Sequence, residues 1–170
     1  MQMKEIEKIP SFGNALVENI CTGCTAVMNQ VLFERIKEHI PSYTVMHDWW
    51  LYLTASYFGD VIYDENSYIF YRQHGGNVLG SRNTYWKELL NRLKNFKNHR
   101  GQVRRQAWAF YESYGRELKE NKKAGKLLFL LLKAKKNWKY KWQLIKTPEI
   151  YRQRTVDNMI FKFLYMGNHI

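Results

Sequence analysis

Asn19 to Met28 reads NICTGCTAVM. The stretch is rich in β-branched and small residues, which suit a buried strand, and Gly23 is placed for a bend within it. Its reading decides the fold class, because the segments that follow alternate with it. Asn29 is a good N-cap for a helix that carries Leu32, Phe33, Ile36 and Ile40 at helical period and is stopped by Pro41. A second helix opens near His47-Asp48 and runs through Trp49, Trp50, Leu53 and Tyr57 to Gly59, a natural residue just past a helix end. Residues 60–63 and 67–73 then read as two short strands around a turn at Asp64-Glu65-Asn66, and His74-Gly75-Gly76-Asn77 leaves the second as a loop. The expectation for this first region is α/β.

Farther along the chain the strand signal stops. Residues 86–98, 102–118, 126–135 and 151–164 all read as helices, with Val103, Ala107, Phe110, Tyr111 and Tyr114 on one face of the second. Charge divides the chain at nearly the same place. Residues 1–84 carry a net −3, residues 85–154 a net +15, and residues 155–170 are neutral, for a total of +12. Such asymmetry suggests two regions with different tasks: an α/β portion over 1–82 and a basic helical extension over 83–170.

Composition removes several classes. With 6 Trp, 12 Tyr and 9 Phe in 170 residues there is ample material for a core, which excludes a disordered chain. Only 3 Pro and 10 Gly exclude a collagen-like or linker-dominated one. Two Cys give no disulfide framework, so a reducing compartment is expected. The N-terminus is polar, and the longest apolar run, residues 127–132, falls far short of the roughly 20 residues that span a bilayer. The expected location is cytoplasmic, as a soluble or peripheral protein.

Three patterns could carry chemistry. Cys21-Thr22-Gly23-Cys24 has the spacing of a redox pair or half a zinc site, but without a second Cys pair it reads first as small core residues. Met46-His47-Asp48-Trp49-Trp50 places a carboxylate in the first turn of a helix. There it is either a cap stabilised by the helix dipole or a general base that takes a proton from a sugar or alcohol hydroxyl beside two apolar rings. In Tyr71-Arg72-Gln73-His74-Gly75-Gly76-Asn77, Arg72 and His74 project to the same side of a strand end. Arg grips a phosphate bidentately, and neutral His binds a divalent metal or donates to a phosphate. The alternative is a solvated strand end.

The order of these elements resembles the second half of bacterial family 2 glycosyltransferases, above all rhamnosyltransferase-type enzymes of cell-wall and capsular polysaccharide synthesis. The resemblance covers about residues 15–82 and lies in NICTGCTAVMNQVLFERI followed by MHDWWLYLTASYFGDVIYDENSYIFYRQHGGNVLG. It implies the C-terminal part of a nucleotide-diphosphosugar-binding α/β domain of GT-A type. It implies Asp48 as the base that deprotonates the acceptor in an inverting transfer. His47, Trp49, Trp50, Arg72 and Asn77 would contact substrate, and His74 would lie at a Mg²⁺ or Mn²⁺ ion in the complete enzyme. The implied partners are a nucleotide-sugar donor and a glycan or lipid-linked acceptor.

The chain departs from that family by containing no Asp-x-Asp, the motif that holds the metal, and no nucleotide-binding strands before Asn19. Without them little or no transfer by this polypeptide alone is expected, and its strands would leave a sheet edge for a complementary N-terminal half. The basic region offers another function, a non-enzymatic binding module. Lys133 to Trp142, KAKKNWKYKW, interleaves cations with aromatics. That pattern fits an anionic membrane surface such as the inner face of the plasma membrane, fits single-stranded nucleic acid less well for want of any accompanying motif, and also fits a simply solvated face.

Overall fold

The computed structural model describes residues 8–66, 101–134 and 137–167. Among them the chain is helical. The elements are α1 (Phe12–Ala15), a 3-10 turn (Gly23–Thr25), α2 (Gln30–Glu38), α3 (His47–Phe58), α4 (Gln102–Tyr114), α5 (Glu117–Glu120), α6 (Lys122–Lys133), α7 (Trp138–Lys146) and α8 (Thr155–Met166).

Local chemistry sets the boundaries. The side chain of Asn29 accepts from the Leu32 N–H at 2.9 Å and starts α2 as an N-cap should. Asn121 does the same for α6 through the Ala124 N–H at 3.1 Å. Gly59 ends α3, its N–H returning to the Ala55 carbonyl at 2.9 Å. The helix expected over 102–118 is interrupted at Gly115, where a Cβ would stand 2.6 Å from the Tyr111 carbonyl oxygen, and the chain resumes as the single turn of α5. The helix expected from Lys126 begins four residues earlier, at Lys122, and runs to Lys133. The start of 151–164 is non-helical, and α8 begins only at Thr155.

The α/β expectation is wrong for this chain. The described residues contain no strand and no sheet, and so no GT-A type domain. Asn19 to Met28, read as a buried strand, is irregular backbone around the 3-10 turn, with Val27 97% exposed and Cys24 exposed as well. A strand needs a neighbouring strand for its N–H and C=O groups, and β-branched composition cannot supply one. Here the backbone finds other partners. The Cys21 N–H donates to the Asn19 side chain at 3.0 Å, the Thr25 N–H to the Thr22 carbonyl at 2.9 Å, and the Gly23 N–H to Asp48. Residues 60–63 form no strand either. The sheet edge that was to receive a complementary half is therefore absent from the described residues. The expected strand over 67–73 and the expected helix over 86–98 lie outside them.

A single apolar core draws on both sides of residue 82. Its centre is aromatic. Trp50 of α3 stacks on Tyr114 of α4 at 6.3 Å and meets Phe110 edge-on at 5.7 Å. Phe12 of α1 lies 5.4 Å from Phe110, and Phe58 lies 4.9 Å from Tyr114. Such pairs add about 0.5–1.5 kcal/mol each beyond the area they bury. The next layer is aliphatic, with Leu127, Leu128, Leu130 and Leu131 of α6 all buried.

Polar groups in the interior are tied together. Asn14 donates to the Tyr151 carbonyl at 2.9 Å and to Glu18 at 3.1 Å, and it accepts from the Tyr52 hydroxyl at 2.7 Å. The Gln153 N–H donates to Glu18 at 2.6 Å. The network fastens α1 to α3 and to the segment before α8. Gln106 of α4, buried, accepts from the Val45 N–H at 2.9 Å and holds the connection that leads into α3. That connection delivers His47 and Asp48.

Candidate functional site

Asp48 is the second residue of α3, where the free N–H groups of the helix start favour a carboxylate. It is 5% exposed. Its Oδ1 accepts from the Asn19 side-chain amide at 3.1 Å and from the Trp49 N–H at 2.8 Å. Its Oδ2 accepts from the Gly23 N–H at 3.3 Å, a long bond that leaves acceptor capacity on that oxygen. Asn19 works in two directions, donating to Asp48 while accepting from Cys21 N–H. The carboxylate and one amide thus shape the loop over 19–25 as well as fix the acid.

His47 is exposed and sits over Gly23. A Cβ at Gly23 would lie 2.6 Å from His47 Nε2 and 3.5 Å from Asp48 Cβ, so glycine is what allows the loop to lie this close to the start of α3. Cys21 lies on the same side. Burial first, and the Asp48 charge second, push its thiol up from 9.0 to about 11. That keeps it protonated near neutral pH and far from a reactive thiolate. Both cysteines are free; Cys21 is half-buried and packs against the core, while the exposed Cys24 departs from the reading of both as core residues.

The two tryptophans expected at the substrate are elsewhere. Trp49 is buried and donates its ring N–H to the Ala15 carbonyl at 2.7 Å, tying α3 to α1. Trp50 is buried against Phe110 and Tyr114. Of the expected site residues the structure brings together His47 and Asp48, and places Trp49 and Trp50 in the core. Arg72, His74 and Asn77 lie outside the described residues. Among the described residues no group of three His, Cys, Asp or Glu side chains is placed to hold a metal ion.

What the sequence reading missed is Asn19. It stands 29 positions from Asp48, and no local pattern announces a partner at that separation. The basic region also holds an unexpected element. The aromatic and cationic stretch 133–142 contributes the first half of α7, which packs against α6 and α8. No helix among the described residues is long and apolar enough to cross a membrane. No family model matches this sequence, and neither a curated protein nor a solved structure matches it.

Proposed function

We propose that this chain supplies the acceptor-activating carboxylate of an inverting glycosyltransferase that uses a nucleotide-diphosphosugar donor and a glycan or lipid-linked acceptor of the cell surface. The reading rests on the motif order quoted above and on one structural observation. Asp48 is held in place by Asn19 and Gly23, and among the described residues its Oδ2 carries only one, long hydrogen bond. A base must be fixed and able to take one more proton donor, and the geometry of this carboxylate supports that role.

In the proposed step, the exposed His47 side chain rotates aside and an acceptor hydroxyl donates to Asp48 Oδ2. The proton passes to that oxygen as the acceptor oxygen bonds to the anomeric carbon. The bond from that carbon to the diphosphate breaks, its electron pair leaves with the nucleoside diphosphate, and the configuration inverts. Donor binding is assigned to residues other than those described, because Asp48 and its neighbours offer no anion-binding cation or metal site. A divalent ion at the leaving diphosphate would supply charge stabilisation there.

The 170 residues contain no Asp-x-Asp, so the isolated chain is expected to turn over little or no donor. The test is sugar transfer in trans. The full chain is mixed with a polypeptide that binds the nucleotide-diphosphosugar and its metal, and labelled sugar incorporation into bacterial surface glycan is followed. Incorporation that depends on this chain and falls about 10²- to 10⁴-fold in Asp48→Asn, with helicity unchanged, is the expected result. Incorporation that ignores the substitution, or none with any donor, overturns the proposal.

A further inference from the structure

The exposed sides of α7 and α8 combine large apolar side chains with lysines. In α7, Trp138 and Trp142 are one turn apart, 65% and 47% exposed. Lys139 and Lys146, seven residues apart, share that side of the helix, and the Lys146 ammonium lies 5.8 Å from the Trp142 ring centre. The opposite side of α7 is buried at Lys141 and Leu144. In α8 the buried side is Asp157, Phe161 and Tyr165. Its outward side carries Met159 and Phe163, 65% and 77% exposed, with no charge between them on that stripe.

The two helices are fixed to each other. Lys141, although buried, reaches across to the Met166 carbonyl at 2.9 Å, where the end of α8 carries partial negative charge. Each helix of this joined pair thus carries exposed large apolar side chains, those of α7 beside lysines. Tryptophan next to lysine on a short amphipathic helix is the composition that settles at the level of lipid headgroups, ring inward and ammonium toward phosphate. The sequence of this stretch has the sign that an anionic surface attracts, since residues 133–146 hold six lysines and no acid.

We infer that α7 and α8 form a docking face for an anionic lipid bilayer, on which Trp138, Trp142 and Phe163 enter the interface and Lys139 and Lys146 meet headgroup phosphates. The face lies apart from Asp48 in sequence, and the inference stands independently of the sugar-transfer proposal. Nucleic acid is the less favoured occupant, because an uncharged Met-Phe stripe gives phosphates nothing to contact.

The test is co-sedimentation of the full chain with vesicles of phosphatidylglycerol and phosphatidylcholine, against vesicles of phosphatidylcholine alone. Binding to the anionic vesicles only is expected. It should weaken about fivefold for each of Lys139→Gln and Lys146→Gln, and at least tenfold in the double variant Trp138→Ala, Trp142→Ala. Phe163→Ser should weaken it on its own. Trp108→Ala, at an exposed tryptophan of α4, is the control expected to leave binding unchanged. All six positions are exposed in the fold, and unchanged circular dichroism confirms that each variant is folded. No binding to anionic vesicles, equal loss in the Trp108 control, or tighter retention of a labelled oligonucleotide than of vesicles overturns the inference.

Discussion

Asp48 and Cys21 face each other's consequences. The carboxylate sits at the start of α3 with two further donors from the 19–25 loop, and its charge, after burial, helps keep the neighbouring thiol protonated. At pH 8 a thiol moved from 9.0 to about 11 has about a hundredfold less thiolate. Iodoacetamide should therefore modify Cys21 in the native chain about a hundredfold more slowly than in the urea-unfolded chain, with the exposed Cys24 modified first. Peptide mapping after timed quenching reads both rates, and equal native and unfolded rates at Cys21 would contradict the environment described here. The sign of the linkage follows. A group that binds its proton more tightly when folded contributes stability that is fully present below 9.0 and lost as pH rises toward about 11. Stability should fall across that window, less steeply in Cys21→Ala. At this scale the sequence showed the acid and its place in a first turn. It could not show Asn19 as the partner, because a hydrogen bond across 29 residues depends on the path of the loop between them.

At the scale of elements, legibility followed the caps. Asn29 and Gly59 are local signals, and the helices they bound are where the sequence placed them, within two residues at the C-terminal end of α2. The first half of α7 was read only for its surface chemistry, since alternating lysines and aromatics mask a helical period whose buried positions are Lys141 and Leu144. The strand over 19–28 failed for the opposite reason: its composition suits a sheet, but no partner strand is offered by the described residues. Packing between elements gives a sharp test at α1. A Cβ on Gly13 would stand 2.0 Å from the Glu149 carbonyl oxygen, a backbone atom that cannot swing aside. Gly13→Ala should therefore separate α1 from the segment after α7. The expected cost is about 2–3 kcal/mol, a Tm lower by roughly 4–12 °C in thermal unfolding. Gly59→Ala, whose Cβ would meet only Ala55 O at 3.9 Å, should change little in the same experiment.

For the whole molecule, the aromatic centre made by Phe12, Trp50, Phe58, Phe110 and Tyr114 joins the acidic first region to the basic second one. The contrast in charge, visible from the sequence, thus lies over one continuous core, which the sequence did not show. Trp49 and Trp50 were legible as an apolar pair. Their use was not, because the same rings serve a ligand or a core equally well until α1 is in place beside Trp49 and α4 against Trp50. One consequence is that the candidate base depends on the global fold: α1, α3 and the 19–25 loop must all be docked for Asn19 and Gly23 to reach Asp48. The most direct measurement is amide hydrogen exchange of the whole chain, by NMR, in wild type and Asp48→Ala. The account predicts a protected Gly23 amide in the wild type, and exchange at least tenfold faster in the variant, while the Leu53 amide inside α3 stays protected. A Gly23 amide that already exchanges at the rate of an open loop in the wild type would contradict it.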